Sequence, residues 1–331
     1  MPPPPPEAFV LSDTAPERIW AGARMAVGRY RRPLAQPDVE RRGPALRLKQ
    51  WCYQSFATPE VFCAFAIVGL GYAAQAFAYV VDRSTGRRAS FEALSPLGLG
   101  VSFAESSLSG STRFRRGQAS ITAGYERGFS AHFSLPLDDG SIAALDVTSM
   151  LDDALALVFP LSAERAAYTH KAAGMRTKGT LHWGRRRYDL GPALTTLDFT
   201  RSLADRHTRW EWASFVGHTA GGRRFGLNLS AHVYDDARGD STENGVWLDG
   251  VLHTLGGVRF DMTREPLRIS SRDGSGEVEL EVRPLGARRS NLDLQVIRSA
   301  FTQPYGTASG QVRGERIEGA FGVVEEHDAL W

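Results

Sequence analysis

Apolar and polar residues alternate along this chain in short runs, broken every ten residues or so by turns rich in Gly, Asp, Asn and Arg. That rhythm predicts an all-β, antiparallel protein of sandwich or barrel type with little helix. In the first half, strand patterns are clearest at Val61–Val68, Tyr72–Val81, Phe129–Leu135 and Ser141–Val147. In the second half they are clearest at Trp210–His218, Arg224–Val233, Gly276–Pro284, Asn291–Ala300 and Arg316–Val324. No internal period of roughly 20 to 50 residues holds, which excludes a solenoid or propeller.

One run needs a separate decision. Val61 to Val81 is free of charge and long enough to cross a bilayer as a helix. Gly69-Leu70-Gly71 interrupts it, and Val, Ile, Phe and Tyr flank the break. The run therefore predicts two buried strands joined by a turn, and no integral membrane span. Around 148–175 the pattern loosens, with Ser162 placed to cap a short helical turn and Gly174 to stop it. The expected organisation is a disordered or irregular Pro-rich arm at 1–27, a first β-domain at 28–175 and a second at 176–331.

Composition changes little in this picture. The net charge of +2 gives no argument for nucleic acid, and the start of the chain has neither a basic segment nor an apolar core of signal-peptide type. Cys52 and Cys63 alone make no disulfide framework, which fits a reducing cytoplasm. The basic residues are nearly all arginine; Lys49, Lys171 and Lys178 are the lysines. Arginine-favouring codon usage accounts for that. Even so, the survivors invite attention where a compact ammonium matters: Lys49 stands two places before Trp51, on the same face if both lie in a strand, and Lys171 follows His170 just before the second domain.

The search for chemistry is mostly negative. No P-loop, dinucleotide fingerprint, nucleophile elbow or histidine pair of metal-binding spacing occurs, so no cofactor or metal is expected. What stands out is Trp210 to His253, where Glu211, Asn228, Glu243 and Asn244 are threaded among large aromatics. That mixture suits an apolar pocket with a few placed polar groups. Ser241-Thr242-Glu243-Asn244 reads equally as a turn closed by its own side chains. The segment holding Asp198 and Arg201 reads equally as a loop ion pair. The C-terminal Glu325-Glu326-His327-Asp328-Ala329-Leu330-Trp331 is either a solvated charge run or an end that turns Glu326 and His327 inward.

Taken in order, Lys49-Gln50-Trp51, Gly69-Leu70-Gly71-Tyr72, Trp210-Glu211-Trp212-Ala213, Gly226-Leu227-Asn228, Thr242-Glu243-Asn244 and Glu325-Glu326-His327 with Trp331 resemble the bacterial domain-of-unknown-function family 2804. The resemblance runs from about Gly28 to the end. It departs at Asp198-Phe199-Thr200-Arg201-Ser202, where the family pattern has Asp-Trp-Gly-Arg-Gly. The family is distantly similar to two-domain lipocalin-like proteins that include carotenoid hydratases and tocopherol cyclase. This implies two consecutive calycin-type β-domains and a hydrophobic, lipid or isoprenoid-like ligand. Ligand binding then falls to Trp51, Tyr72, Lys49 and Lys171, with Arg201, Trp210, Trp212, Asn228 and Asn244. A cofactor-independent hydratase, cyclase or isomerase is the alternative, with Glu243, Asp198, Glu326 and His327 as its acid–base groups.

Overall fold

The uncharged run folds as the two antiparallel strands expected, Val61–Gly69 and Ala73–Asp82, and Leu48–Ala57 pairs with the first of them. Gly71 makes the second turn possible: its φ is +83°, and a Cβ there would lie 2.5 Å from the Leu46 carbonyl oxygen. The computed structural model describes residues 3–39, 45–125, 128–293 and 298–331. Part of the strand expected at Asn291–Ala300 lies outside them.

Two antiparallel sheets carry nearly everything. The first runs in the order Arg88–Pro96, Ala73–Asp82, Val61–Gly69, Leu48–Ala57, Leu194–Leu203, Ala166–Trp183, Ile142–Ser149, Phe129–Pro136, Ala119–Gly124, Ser111–Arg116, Val101–Ser102. It curls into a nearly closed barrel. The second is a half-barrel in the order Val251–Thr254, Gly245–Leu248, Arg224–Ala231, His207–His218, Glu315–Leu330, Arg298–Val312, Val278–Asp293, Leu267–Ser271, Val258–Asp261. No helix among the described residues is long and apolar enough to cross a membrane.

Strand alternation explains why Val61–Val81 is apolar on both faces. Cys63, Phe65, Ile67, Ala76, Ala78 and Val80 fill the barrel, together with Cys52, Phe56, Phe114 and Phe133. Phe62, Ala64, Ala66, Val68, Phe77, Tyr79 and Val81 point the other way, onto Trp212, Val216, Tyr305, Phe321 and Val323 of the second sheet. A third core, including Phe215, Leu227, Leu229, Ile269, Leu280 and Val324, fills the half-barrel behind. The barrel and the half-barrel are thus each packed with their own side chains, and the two sheets meet along the core between them.

Four expectations give way to a different arrangement. The boundary placed at 175/176 falls inside the strand Ala166–Trp183, and the chain changes sheet only between Leu203 and His207. The helical turn after Ser162 is a plain turn: the Ser162 hydroxyl accepts from the Glu164 and Arg165 amides, and a strand begins at Ala166. Leu194–Leu203, read as a loop, is a central strand. The arm before residue 28 is irregular but packed, with Phe9 stacked on Phe159 and Ile19 and Trp20 buried.

The sheets meet backbone to backbone at two glycines. Gly174 sits at a bulge in Ala166–Trp183 with φ +78°. Facing it, a Cβ on Gly226 would lie 2.2 Å from the carbonyl atoms of Ala173. Backbone meets backbone here, so no side chain can give way. Arg224 secures the contact by donating to the Gly174 carbonyl at 2.6 Å and pairing with Asp152. Gly226→Ala is expected to destabilise the protein by about 3 kcal/mol, the upper end of overpacking costs. Urea denaturation measures it, and an unchanged midpoint would show that the seam is softer than this.

Candidate functional site

Between the sheets the packing opens into a cavity of about 460 Å³. Its aromatic wall contains Trp51, Tyr53, Phe77, Trp210, Trp212, Tyr234, Phe301 and Trp331. The wall is built by register. Trp51, Val68, Gln75 and Leu94 are cross-strand partners in one row over four strands. Trp210 and Trp212, two apart on His207–His218, face the first sheet and pair with His327 and Glu325 on Glu315–Leu330. Trp51 packs edge-on against Trp210 and Trp331, and Tyr53 against Trp212.

Charged groups from both sheets meet in this wall. The Lys171 ammonium lies 2.7 Å from Asp198 Oδ2 and 3.6 Å from Glu243 Oε1, with the Trp212 ring 5.9 Å away. Lys171 and Asp198 are paired residues on adjacent strands of the first sheet. Glu243 comes from the second, at the end of the turn that closes over Ser230 and Ser241. Burial works to lower the Lys171 pKa, but Asp198 and Glu243 outweigh it and leave it raised. Glu243 is pushed upward, chiefly by burial and further by Asp198, while Lys171 pulls it back. Its Oε1 is buried with no hydrogen-bond partner.

A second acid stands across the seam. Glu325 accepts from the Trp210 indole N–H at 2.7 Å and from the Gln303 amide at 2.8 Å. Gln303 in turn accepts from the Tyr79 hydroxyl at 2.9 Å, linking the sheets. Burial dominates over these donors and raises Glu325 to about 7. His327, held by Ser299 at 2.8 Å and boxed by Trp210, Phe301 and Trp331, is lowered to about 3 by burial and stays neutral. On the far side, Arg288 lies over the Phe77 and Phe301 rings and pairs with Glu92 at 3.1 Å. His232 and Tyr234, both lining the cavity, hold φ of +67° and +54°. Such backbone is sparse for non-glycine residues and concentrates near sites.

Of the residues singled out in the sequence, Trp51, Lys171, Asp198, Trp210, Trp212, Glu243 and His327 line the cavity. Lys49 and Tyr72 sit just behind it. The Lys49 ammonium donates to the Leu70 carbonyl at 2.6 Å, lies over the Tyr72 and Trp331 rings, and is lowered to about 8 by burial.

The others do not reach it. Glu326 is on the opposite face from Glu325 and His327, half-exposed beside Arg209. Arg201 points into the barrel and donates to the Ala104 carbonyl at 2.8 Å. Asn228 and Asn244 are braces. Asn228 accepts from the Trp212 indole and donates to the Glu243 carbonyl; Asn244 joins the Ser230 amide to the Gly256 carbonyl. Glu211 faces His232 at 3.4 Å. Glu325, Gln303 and Arg288 were missed, although the alternation that puts His327 inward also puts Glu325 there. No group of three or more potential metal ligands occurs among the described residues.

A family model described as Domain of unknown function (DUF2804) matches residues 20–331. No protein of curated function matches the chain in sequence. Among solved structures, it is similar to an AttH-type protein of Nitrosomonas europaea (12% identity, 85% of this chain and 92% of that one covered, TM-score 0.49). It is also similar to kievitone hydratase of Nectria haematococca (10%, 90% and 91%, 0.48) and to CghA (11%, 86% and 88%, 0.38). At these scores the likenesses bear on no chemistry.

Two outcomes follow from the buried charges. Lys171→Met strands two carboxyl groups and should lose about 3–5 kcal/mol of stability. Exposed Lys178→Met should change it by less than about 0.5 kcal/mol; equal urea midpoints for the two would remove Lys171 from the site. Glu325 has its folded pKa raised from 4.5 to about 7, so its stabilising protonated form is fully present below about 4.5 and lost as pH rises through about 7. Glu325→Gln should therefore gain on the parent by on the order of 3 kcal/mol across that window. Parallel stability–pH curves for the two proteins would contradict the assignment.

Proposed function

Because the chain belongs to the domain-of-unknown-function family 2804, whose description names no chemistry, we propose its function from the cavity: the protein binds an apolar small molecule that carries a hydrogen-bond-donating group. The observation behind this is the pairing of an aromatic chamber with a buried acceptor, Glu243 Oε1, that takes no hydrogen bond of normal length and has the Lys171 ammonium only at 3.6 Å. An unmet buried acceptor costs about 1–3 kcal/mol, and a ligand hydroxyl or protonated amine would recover it. The same cluster disfavours an anion. Lys171 is already engaged by Asp198 and Glu243, and Arg288 by Glu92. Hydrophobic area supplies the affinity and the polar end sets orientation.

Glu325 favours a second reading, in which the bound molecule is also transformed. A carboxyl that titrates near neutrality within an apolar wall can donate a proton to a double bond or a leaving hydroxyl, and the Asp198–Lys171–Glu243 cluster can accept one. That is the chemistry of a cofactor-independent hydratase, cyclase or isomerase. Under it, Glu325→Gln retains the ligand but no longer turns it over.

Native mass spectrometry of protein purified from its own host should show an apolar co-purifying molecule with a hydroxyl or amine. In vitro, quenching of tryptophan fluorescence should report a long-chain primary alcohol binding at least about tenfold more tightly than the matching carboxylate, a difference of about 1.4 kcal/mol. Tighter binding of the carboxylate would defeat this reading of the polar end.

A further inference from the structure

The turn after Arg88–Pro96 exposes leucines with no role in holding the fold. Leu97 is 81% and Leu99 70% exposed, and Leu46 and Leu94 beside them are 67% and 49% exposed. The four share one corner. The Leu97 amide donates to the Tyr72 carbonyl, and the Leu46 carbonyl lies against Gly71 in the turn that Tyr72 ends. Leu97 is also in the left-handed region at φ +57°, where Gly, Asn or Asp is favoured. A leucine there is unfavourable for the backbone and buries nothing within the chain.

Arginines stand behind these tips. The Arg115 amide donates to the Gly100 carbonyl at 2.8 Å, and Arg116 Nη1 to the Leu94 carbonyl at 2.7 Å. Arg113 and Arg115 project outward from Ser111–Arg116, because Thr112 and Phe114 take the inner face. Arg47 is exposed next to Leu46. The nearby acids are Glu92, which is paired to Arg288, and exposed Glu105. The balance at this corner is positive.

We propose that this corner docks the protein on an anionic lipid bilayer, with Leu97 and Leu99 entering the acyl boundary and the arginines at headgroup level. Protruding aliphatic tips with cations set behind them match an interface that is apolar within and negative at its surface. A protein partner would instead call for a flatter patch than these separate protruding tips. The corner also adjoins the cavity: Leu94 both reaches solvent and ends the row Trp51, Val68, Gln75, Leu94 on the cavity wall. Docking here sets that wall against the membrane. The transfer of an apolar ligand along it rests on the function proposed above, whereas docking itself does not.

Sedimentation of the full chain with vesicles tests the docking without any ligand. The protein should pellet with mixed phosphatidylglycerol–phosphatidylcholine vesicles, more weakly with phosphatidylcholine alone, and less as salt rises. Leu97→Asp with Leu99→Asp should reduce partition at least about tenfold, and Arg113→Glu with Arg115→Glu by about fivefold per residue. Asp suits the backbone at 97, so thermal melting should stay at the parent value. Val251→Asp, at an exposed apolar position on the second sheet, serves as control and should bind like the parent. Failure of the parent to pellet with anionic vesicles overturns the proposal, as does undiminished binding of the leucine variant. Loss of alcohol binding in the cavity with vesicle binding intact would defeat the ligand reading alone.

Discussion

The arrangement turns on a buried ion cluster that neither sheet contains by itself. Lys171 and Asp198 come from the first sheet and Glu243 from the second, in a seam otherwise made of indoles, phenyl rings and aliphatic side chains. Moving such charges out of water is costly, and their mutual attraction repays it only in one geometry. The seam therefore has a preferred register, fixed where Glu243 faces Lys171. Asn228 carries the constraint outward by holding both the Glu243 backbone and the Trp212 ring. The Tyr79–Gln303–Glu325–Trp210 chain then repeats the device with neutral donors.

How much of this could be read from the chain follows from what alternation encodes. It states which residues share a face, and so the all-β class and the double-sided apolar run at 61–81 were legible. It does not state what each face meets. The barrel interior is filled, and the cavity lies outside it, between sheets, where strand periodicity leaves no separate mark. Leu194–Leu203 escaped notice for a related reason. Its Thr196, Asp198, Thr200 and Ser202 all fall on one face and read as a loop, yet that face forms the polar part of the seam.

The C-terminal strand shows the limit more sharply. Composition drew attention to Glu326 and His327 together, but neighbours in a strand look in opposite directions. Glu325, one place earlier, is the residue buried with His327, and Glu326 meets Arg209 in solvent. The asparagines illustrate another gap. Asn228 and Asn244 sit among aromatics as ligand-binding residues would, but their amides are consumed in holding other groups. Residue type alone does not separate the group that touches a ligand from the one that aims it.

The glycine crossing of Gly174 and Gly226 bears on how the cavity behaves as a container. Main chain against main chain leaves no compressible layer, and the contact stands only a few residues from Lys171 and Asn228. The two walls are therefore held at a fixed gauge. Under the binding proposed above, a guest is admitted by rotation of rim side chains rather than by the sheets parting, and one a methylene too thick meets a frame that does not spread. On that reading, selection by girth belongs to the backbone before any polar group is consulted.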